Sequence, residues 1–572
     1  MRNGADSLCR AMQAQGVTCA FGVPGTQTLA LYEGIRRSRI RSVLATNELA
    51  AGFMANGYYR ASGRIAPLLT IPGPGFTWAL TAVAEALHDS VALIHLAGCT
   101  PTADSQLHLQ AIDQQAVAAP LVKGTLRLSS ADDVEREITR AFQLALSGEP
   151  GPVLVEWTRE ALEGAVSKTA RPPPTGATTT NGTASAADDV ARLLLDAKRP
   201  LLLVGQGSAA AAGPLRELAE LLHCPVFATA SGRGILPEDH ELCLGFDIER
   251  GNVALVNELI ESADSVLALG CKLGYSGSGG FQLRLPAERL VRVDTSSESR
   301  DSTYPAKLTV IEDVAAFLAR LLPRVRAHEG RKCGWSAGEI QGATRRLREV
   351  PEGIAEPAVV GSSDPSVGSF FGALRRALPR DGIVVADSGL HQQLLRRHFE
   401  VLAPRGLLFP SDFQSMGFGL PAAIGAKLAE PQRRVVAVIG DGGFAMSGME
   451  LLTAVREGLS LTVVVLCDGL LGRIRLEQLA AVGRTTTIEL LNPDFRAFAA
   501  AVGAAYASCE AEPEAALRRA IDADGVTVVE LRLKDTPRIQ RVRATGLLRG
   551  AARRVLGPDW IRSLKRMVKR GE

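Results

Sequence analysis

Along most of the chain, short runs of β-branched and aliphatic residues alternate with longer stretches in which apolar positions recur every three or four residues. The runs suit strands buried on both faces, and the stretches suit helices that cover them. The alternation therefore predicts βαβ units around parallel sheets. Strands are expected at Pro200–Val204, Ser265–Leu269, Leu290–Val293, Val435–Ile439 and Leu461–Leu466. A helix is expected after Gly205-Gln-Gly207, running to Leu222, and another over Gly448–Glu457.

Two stretches break the alternation. Ser167–Asp188 contains Pro172-Pro173-Pro174 followed by small polar residues, and 327–365 is charged, loosely helical and ends in Gly361-Ser-Ser-Asp-Pro365. They divide the chain into domains at 1–166, 190–326 and 366–535, with linkers at 167–189 and 327–365 and a tail at 536–572. The expected fold class is α/β: three consecutive doubly wound parallel-sheet domains, then a basic helical tail. The first and third domains are expected to share an architecture.

Composition supports a chain with several real cores, at 46% hydrophobic and 22% charged residues. No apolar run is long enough to span a bilayer, and the N-terminus lacks the apolar block of a signal peptide. The nine cysteines are scattered and form no C-x-x-C pair, which argues for a reducing cytoplasm. The net charge of +3 hides an asymmetry: from Arg538 onward eleven Arg or Lys stand against Asp559 and Glu572, a balance of +9. The body before it is therefore about −6, which speaks against nucleic-acid binding.

The strongest chemical signal is Val435-Val-Ala-Val-Ile-Gly-Asp-Gly-Gly-Phe444, followed by Thr462-Val-Val-Val-Leu-Cys-Asp468. A buried strand delivers Asp441 to the carboxyl edge of a sheet, where open α/β folds bind ligands. One intervening helix returns the chain to that edge, so Asp468, 27 residues later, can meet Asp441 there. Two carboxylates beside phosphate oxygens suit Mg²⁺. Gly440, Gly442 and Gly443 let backbone N–H groups approach a diphosphate.

This spacing resembles the thiamine-diphosphate motif of the acetolactate synthase, pyruvate oxidase and pyruvate decarboxylase superfamily, closest to its acetolactate synthase-like branch. The chain departs from it with Cys467-Asp468 in place of Asn-Asn. The resemblance implies that Asp441, Asp468 and the backbone carbonyl of Leu470, with Leu471 beside it, hold metal and diphosphate. Phe21-Gly-Val-Pro24-Gly25 resembles the family's opening turn, and Glu48 stands where the family keeps the glutamate that activates the aminopyrimidine ring. Pro72-Gly-Pro-Gly-Phe-Thr-Trp78 resembles the next motif, with Trp78 in place of the usual Asn. Ser388-Gly389-Leu390-His391 resembles a diphosphate-contacting turn. Ser415-Met416 opens a segment close to the acetolactate synthase version, which makes Met416 the apolar prop of a bent cofactor. Gln110 aligns with a substrate-side glutamine. Domains one and three become pyrimidine-binding and diphosphate-binding, around a central Rossmann-like domain.

The implied function is decarboxylation of a 2-oxo acid followed by carboligation to a carbonyl acceptor. The segment 101–120 holds a single histidine, His108, where decarboxylases of the family use a pair. Simple decarboxylation stays open beside it, as do, more distantly, an oxidase and a non-catalytic relative. FAD is a candidate ligand at Gly205-Gln-Gly207 and Asp294, on the weak signal of two glycines after a strand. The family places its cofactor between two subunits, so a homodimer is the minimum and a tetramer the alternative. Arg473 and Arg475 follow the metal loop, where a guanidinium could meet a substrate anion or simply lie on a solvated helix face. The tail repeats apolar residues at helical spacing between basic ones, a pattern that suits an anionic membrane surface, an acidic partner or the protein's own body.

Overall fold

In the computed structural model, residues 2–99, 108–167, 184–246, 252–295, 303–328, 333–349 and 355–548 are described. Strands that are buried along their whole length must be covered on both faces. Ser265–Leu269 and Leu461–Cys467 are buried at every position, as the apolar runs require. Both belong to sheets flanked by helices.

Three sheets result. In spatial order the first is Arg41–Leu44, Cys19–Gly22, Leu68–Thr70, Leu93–Gly98, Pro152–Trp157 and Gly124–Leu128. The second is Leu308–Ile311, Leu290–Asp294, Ser265–Leu269, Pro200–Val204, Val226–Ala228 and Cys243–Phe246. The third contains Leu407–Leu408, Ile383–Ala386, Val435–Gly440, Leu461–Cys467 and Val526–Lys534, in the same chain order as the first sheet's leading five. Ala358–Val359 adds an antiparallel edge strand to it. The expected strands appear with shifts of one residue at most.

Strand order reverses inside each sheet, and ligands of open α/β sheets bind outside the strand ends at such a point. In the first sheet the reversal falls between Cys19–Gly22 and Leu68–Thr70, which lead into Pro24-Gly25 and Gly73. In the third it falls between Ile383–Ala386 and Val435–Gly440, which lead into Asp387–Leu390 and Asp441. In the second it falls between Pro200–Val204 and Ser265–Leu269, which lead into Gly205 and Gly270.

Seven helices position the site: α1 (Glu48–Ser62), α2 (Pro74–His88), α3 (Gln114–Ala118), α4 (Gly419–Ala429), α5 (Asp441–Ser447), α6 (Glu450–Arg456) and α7 (Gly472–Val482). The helix expected over Gly448–Glu457 starts seven residues earlier, at Asp441, and is interrupted before Glu450. Extended Gly440 caps α5, and the Asp441 carboxylate sits in its first turn, where it complements the helix dipole. Gly443 is tolerated inside this helix because a Cβ there would lie 2.4 Å from Asp387 Oδ2.

Ordered structure reaches into both stretches read as linkers. The helix Ala184–Asp196 begins within the first. In the second, Ala337–Arg348 buries Ile340 and Ala343 in the central domain's core, because its apolar residues recur at helical spacing. The first and third domains share one hydrophobic core. Helices α1 and α4 cross there at backbone contact: a Cβ on Gly57 would lie 2.0 Å from Ala422 O, and one on Gly425 1.9 Å from Met54 O.

The tail is helical over 537–548, with Gly546 and Leu547 packed against Leu479 and Gly483 at the end of α7. The rest of the basic tail lies outside the described residues. Among the described residues, no helix is long and apolar enough to cross a membrane.

Candidate active site

At the reversal point of the third sheet, one cleft of about 140 Å³ gathers most of the residues singled out from the sequence. Ser388, Gly389, Leu390 and His391 line one wall, and Gly440, Asp441, Gly442 and Gly443 another. Met416, Asp468, Leu470 and Leu471 close it. Ser415 lies just behind, buried, with its hydroxyl unpartnered.

The two carboxylates meet as their spacing suggested. Asp441 Oδ2 accepts from Gly469 N–H and from Asn492 Nδ2, both at 2.8 Å, and Asp468 Oδ1 accepts from Leu470 N–H at 3.1 Å. Burial, then the negative charge of Asp441, pushes the Asp468 carboxyl up to about 6. Such a pair is stabilised by a cation between its members. His391 is 6% exposed and its Nε2 has no partner, while burial depresses the imidazole to about 4. It is thus a neutral ring with a free polar atom beside the cleft. Cys467 is buried and its thiol is pushed far up by burial, which suits a filler rather than a ligand.

The second group lies elsewhere. Glu48, Gln110, Pro24 and Gly25 do not line this cleft but surround the reversal point of the first sheet. Glu48 opens α1 behind the Asn47 cap and is 6% exposed. A Cβ on Gly75 would lie 2.7 Å from Glu48 Oε1, so α2 can approach only because that position is glycine. Tyr32 carries a buried hydroxyl without partner, pushed up by burial and by the Glu48 charge. Gly25 is pressed on Ile71, and its N–H donates to Thr28 Oγ1 at 2.9 Å. Gln110 accepts at Oε1 from Gln27 Nε2 at 2.8 Å. Trp78 is 58% exposed on α2.

Several supporting residues carry no motif. Glu450 of α6, fully buried, accepts from Thr46 N–H at 3.0 Å and holds the turn into Glu48. Glu85 of α2 accepts from Ser415 N–H at 2.9 Å and anchors the segment before Met416. Asp387, buried, accepts from Ser388 N–H at 2.7 Å and Gly417 N–H at 3.0 Å, and burial raises it to about 7. Asp387 was within reach as a second acid at a strand end. Asn492, Glu85 and Glu450 act across long chain separations that leave no local signal.

Arg473 pairs with Glu477 at 2.7 Å and Arg475 with Asp535, so both guanidinium groups next to the Asp468–Leu470 turn are engaged within the chain. A separate cleft of about 290 Å³ opens at the reversal point of the second sheet, lined by Gly205, Gln206, Gly207, Gly270 and Asp294.

The sequence matches three family descriptions in order. They are "Thiamine pyrophosphate enzyme, N-terminal TPP binding domain" over residues 2–117, the central domain over 187–321, and the C-terminal TPP binding domain over 387–531. A probable 2-ketoarginine decarboxylase of Pseudomonas aeruginosa is 33% identical over 543 residues, covering 92% of this chain and 93% of that protein. The chain belongs to the acetolactate synthase-like superfamily of thiamine-diphosphate enzymes. An acetolactate synthase of Mycobacterium bovis is 30% identical, covering 89% of the chain and 84% of that protein. The large subunit of acetolactate synthase isozyme 1 from Escherichia coli is 28% identical, covering 93% and 94%. The chain is thus a thiamine-diphosphate-dependent enzyme acting on 2-oxo acids, as carboligase or decarboxylase. Proteins of this superfamily are typically oligomeric. The cleft at the third sheet fits the thiamine-diphosphate group. It offers glycine backbone at Gly440–Gly443 and a carboxylate pair that calls for a cation, beside the buried His391 ring.

Proposed function

We propose that this enzyme decarboxylates a 2-oxo acid and joins the remaining fragment to a carbonyl acceptor, using thiamine diphosphate together with Mg²⁺. In this reading Asp441, Asp468 and the Leu470 carbonyl hold the cation. Ser388–His391 and Gly440–Gly443 hold the diphosphate, and Met416 props the ring system. When bound, thiamine diphosphate supplies the nucleophilic carbon and the ring that stores electrons as CO₂ leaves. Glu48 holds and moves the proton of the aminopyrimidine, and the α2 terminus shields it from water. Gln110 and Gln27 orient the donor and acceptor carbonyls.

The observation that supports joining over simple protonation is the Gln27–Gln110 pair. Both of these side chains are amides, which release no proton near neutral pH. A dimer is the smallest assembly in this reading, because Glu48 and Gln110 do not line the chain's own diphosphate cleft. Uncovered apolar groups near both halves, Leu29 at 64%, Trp78 at 58% and Met446 at 60% exposure, favour a second copy against them.

Simple decarboxylation is the second reading, favoured by the 33% identical relative named for 2-ketoarginine. One experiment separates the two. The holoenzyme with Mg²⁺ is incubated with pyruvate and with 2-ketoarginine, with and without an aldehyde acceptor, and products are read by mass spectrometry. A joined product supports the first reading, and aldehyde alone in both conditions supports the second. FAD is proposed for the cleft at Gly205–Gly207 and Asp294, where nucleotide-binding sheets carry their ligand. Absence of the flavin band from saturated protein would remove it. The tail over 538–572 is proposed to meet an anionic membrane surface or an acidic partner; co-sedimentation with anionic vesicles at low salt tests the first.

A further inference from the structure

Gln110 has φ +64°, in the left-handed region that a non-glycine residue occupies only when its surroundings hold it there. Its neighbour across the fold is Gly73, the residue before α2. A Cβ on Gly73 would lie 2.7 Å from Gln110 O and 2.9 Å from Gln110 Cβ. Two residues along, Gly75 touches Glu48. The strained turn, the α2 terminus and the Glu48 carboxylate therefore converge on one point.

What fastens the turn there is the side chain of Gln114, at the start of α3 and 2% exposed. Its Oε1 accepts from Gly73 N–H at 3.1 Å, and its Nε2 donates to Gly98 O at 2.9 Å and to Glu156 Oε1 at 2.8 Å. The amide thus ties three segments that carry the corner: the α2 terminus, the end of strand Leu93–Gly98, and strand Pro152–Trp157. Glu156 is 1% exposed and is fixed in turn by Gln115 Nε2 at 2.8 Å and by Arg127 at 3.0 Å. A buried carboxylate with three donors is a rigid anchor, and a buried glutamine with both its amide groups satisfied has one orientation.

We propose that Gln114 is a positioning residue: clamped between Gly73 and Glu156, it sets the place of the Gln110 amide relative to Glu48, and through it the approach of the substrate carbonyl. This rests on the reading that Gln110 faces the substrate. Gln114 touches neither Glu48 nor the diphosphate cleft, so its removal should act through Gly73 and the Gln110 turn packed on it.

The test uses the holoenzyme with thiamine diphosphate and Mg²⁺, carrying Gln114→Met, Gln110→Ala and the pair together. Gln114→Met is expected to lower kcat for the 2-oxo acid by about 10- to 100-fold, as small displacements at a reacting centre do. Calorimetric affinity for thiamine diphosphate should stay within about twofold, since the diphosphate cleft is untouched. In the Gln110→Ala background the same change should cost less than about twofold, because a residue acting through another loses its effect when that other is gone. Hydrogen exchange of the backbone at 108–113 should rise about tenfold or more while 48–62 stays protected. Multiplicative losses in the double variant, or unchanged exchange at 108–113, overturn the proposal. Should Gln114→Met fail to fold, Glu156→Gln loosens the same clamp and is read by the same exchange and the same cycle, with smaller losses expected. If the unaltered enzyme turns over no 2-oxo acid, the proposed reaction fails, and the exchange measurement still decides whether Gln114 pins the turn.

Discussion

At the third sheet the ligand-facing groups are glycine backbone, a neutral histidine and two carboxylates, all lining one cleft of a single chain. At the first sheet they are one carboxylate and two side-chain amides, held by contacts from distant segments and bordered by uncovered apolar groups. The two regions grow from sheets of like strand order, so the difference lies in the loops rather than the scaffold. In the proposed reading one corner holds an anionic cofactor by its phosphates, and the other moves a proton and orients a carbonyl, with a second copy closing it.

Substitutions should separate these roles. Glu48→Gln is expected to lower turnover by roughly 10²- to 10⁴-fold, the range for loss of a positioned proton carrier, with thiamine-diphosphate affinity nearly unchanged by calorimetry. Asp441→Ala should do the reverse and abolish metal-dependent retention of the cofactor. Asn492→Ala, which removes the amide donating to Asp441 Oδ2, should weaken Mg²⁺ affinity by about 10- to 100-fold. Retention unchanged in both variants would mean the carboxylate pair is only structural.

The belt between the corners should respond to pH. Burial, then the charge of Asp89, raises Glu85 from 4.5 to about 8, so the folded protein holds this proton more tightly than the unfolded chain. The stability it contributes is complete below pH 4.5 and is lost as pH rises through about 8. Thermal unfolding between pH 6 and 9 should show that decline, with a slope of up to ~1.4 kcal/mol per pH unit for one proton. Glu85→Gln should flatten most of it and leave the part due to Asp387, which titrates with the same sign at about 7. The smallest effect is expected from Arg473→Ala. Its exposed i,i+4 pair with Glu477 is of a kind that contributes about 0.3–0.5 kcal/mol, so KM should move by less than about threefold.

Legibility followed the same divide. The strands at Val435 and Leu461 and the residues Asp441 and Asp468 were readable because glycine and acid at a strand end are local patterns with one physical meaning. The start of α5 at Asp441 was not, because Gly442 and Gly443 argue against a helix until Leu471 is seen beside the first and Asp387 beside the second. Glu48 and Gln110 were singled out through resemblance, whereas what holds them was hidden. Glu450 reaches Thr46 across 404 positions, Glu85 reaches Ser415 across 330, and Gln114 reaches Gly73 across 41. Buried hydrogen bonds over such separations leave no periodicity in the chain. The helix Ala337–Arg348 shows the converse: its charge suggested a linker, but two apolar residues on one face were enough to dock it.

We propose that Glu48 of one copy and Asp441 of another complete one active site. Mixing the Glu48→Gln and Asp441→Ala variants, after dissociation and reassembly with thiamine diphosphate and Mg²⁺, tests it directly. Each variant alone should be nearly inactive. If the site is shared, random reassociation yields mixed dimers with one intact site each, and activity should recover to about a quarter of the unaltered enzyme. If turnover of the mixture stays at the level of the separate variants while mixed dimers are present by mass spectrometry, each site is built within one chain and the claim is wrong.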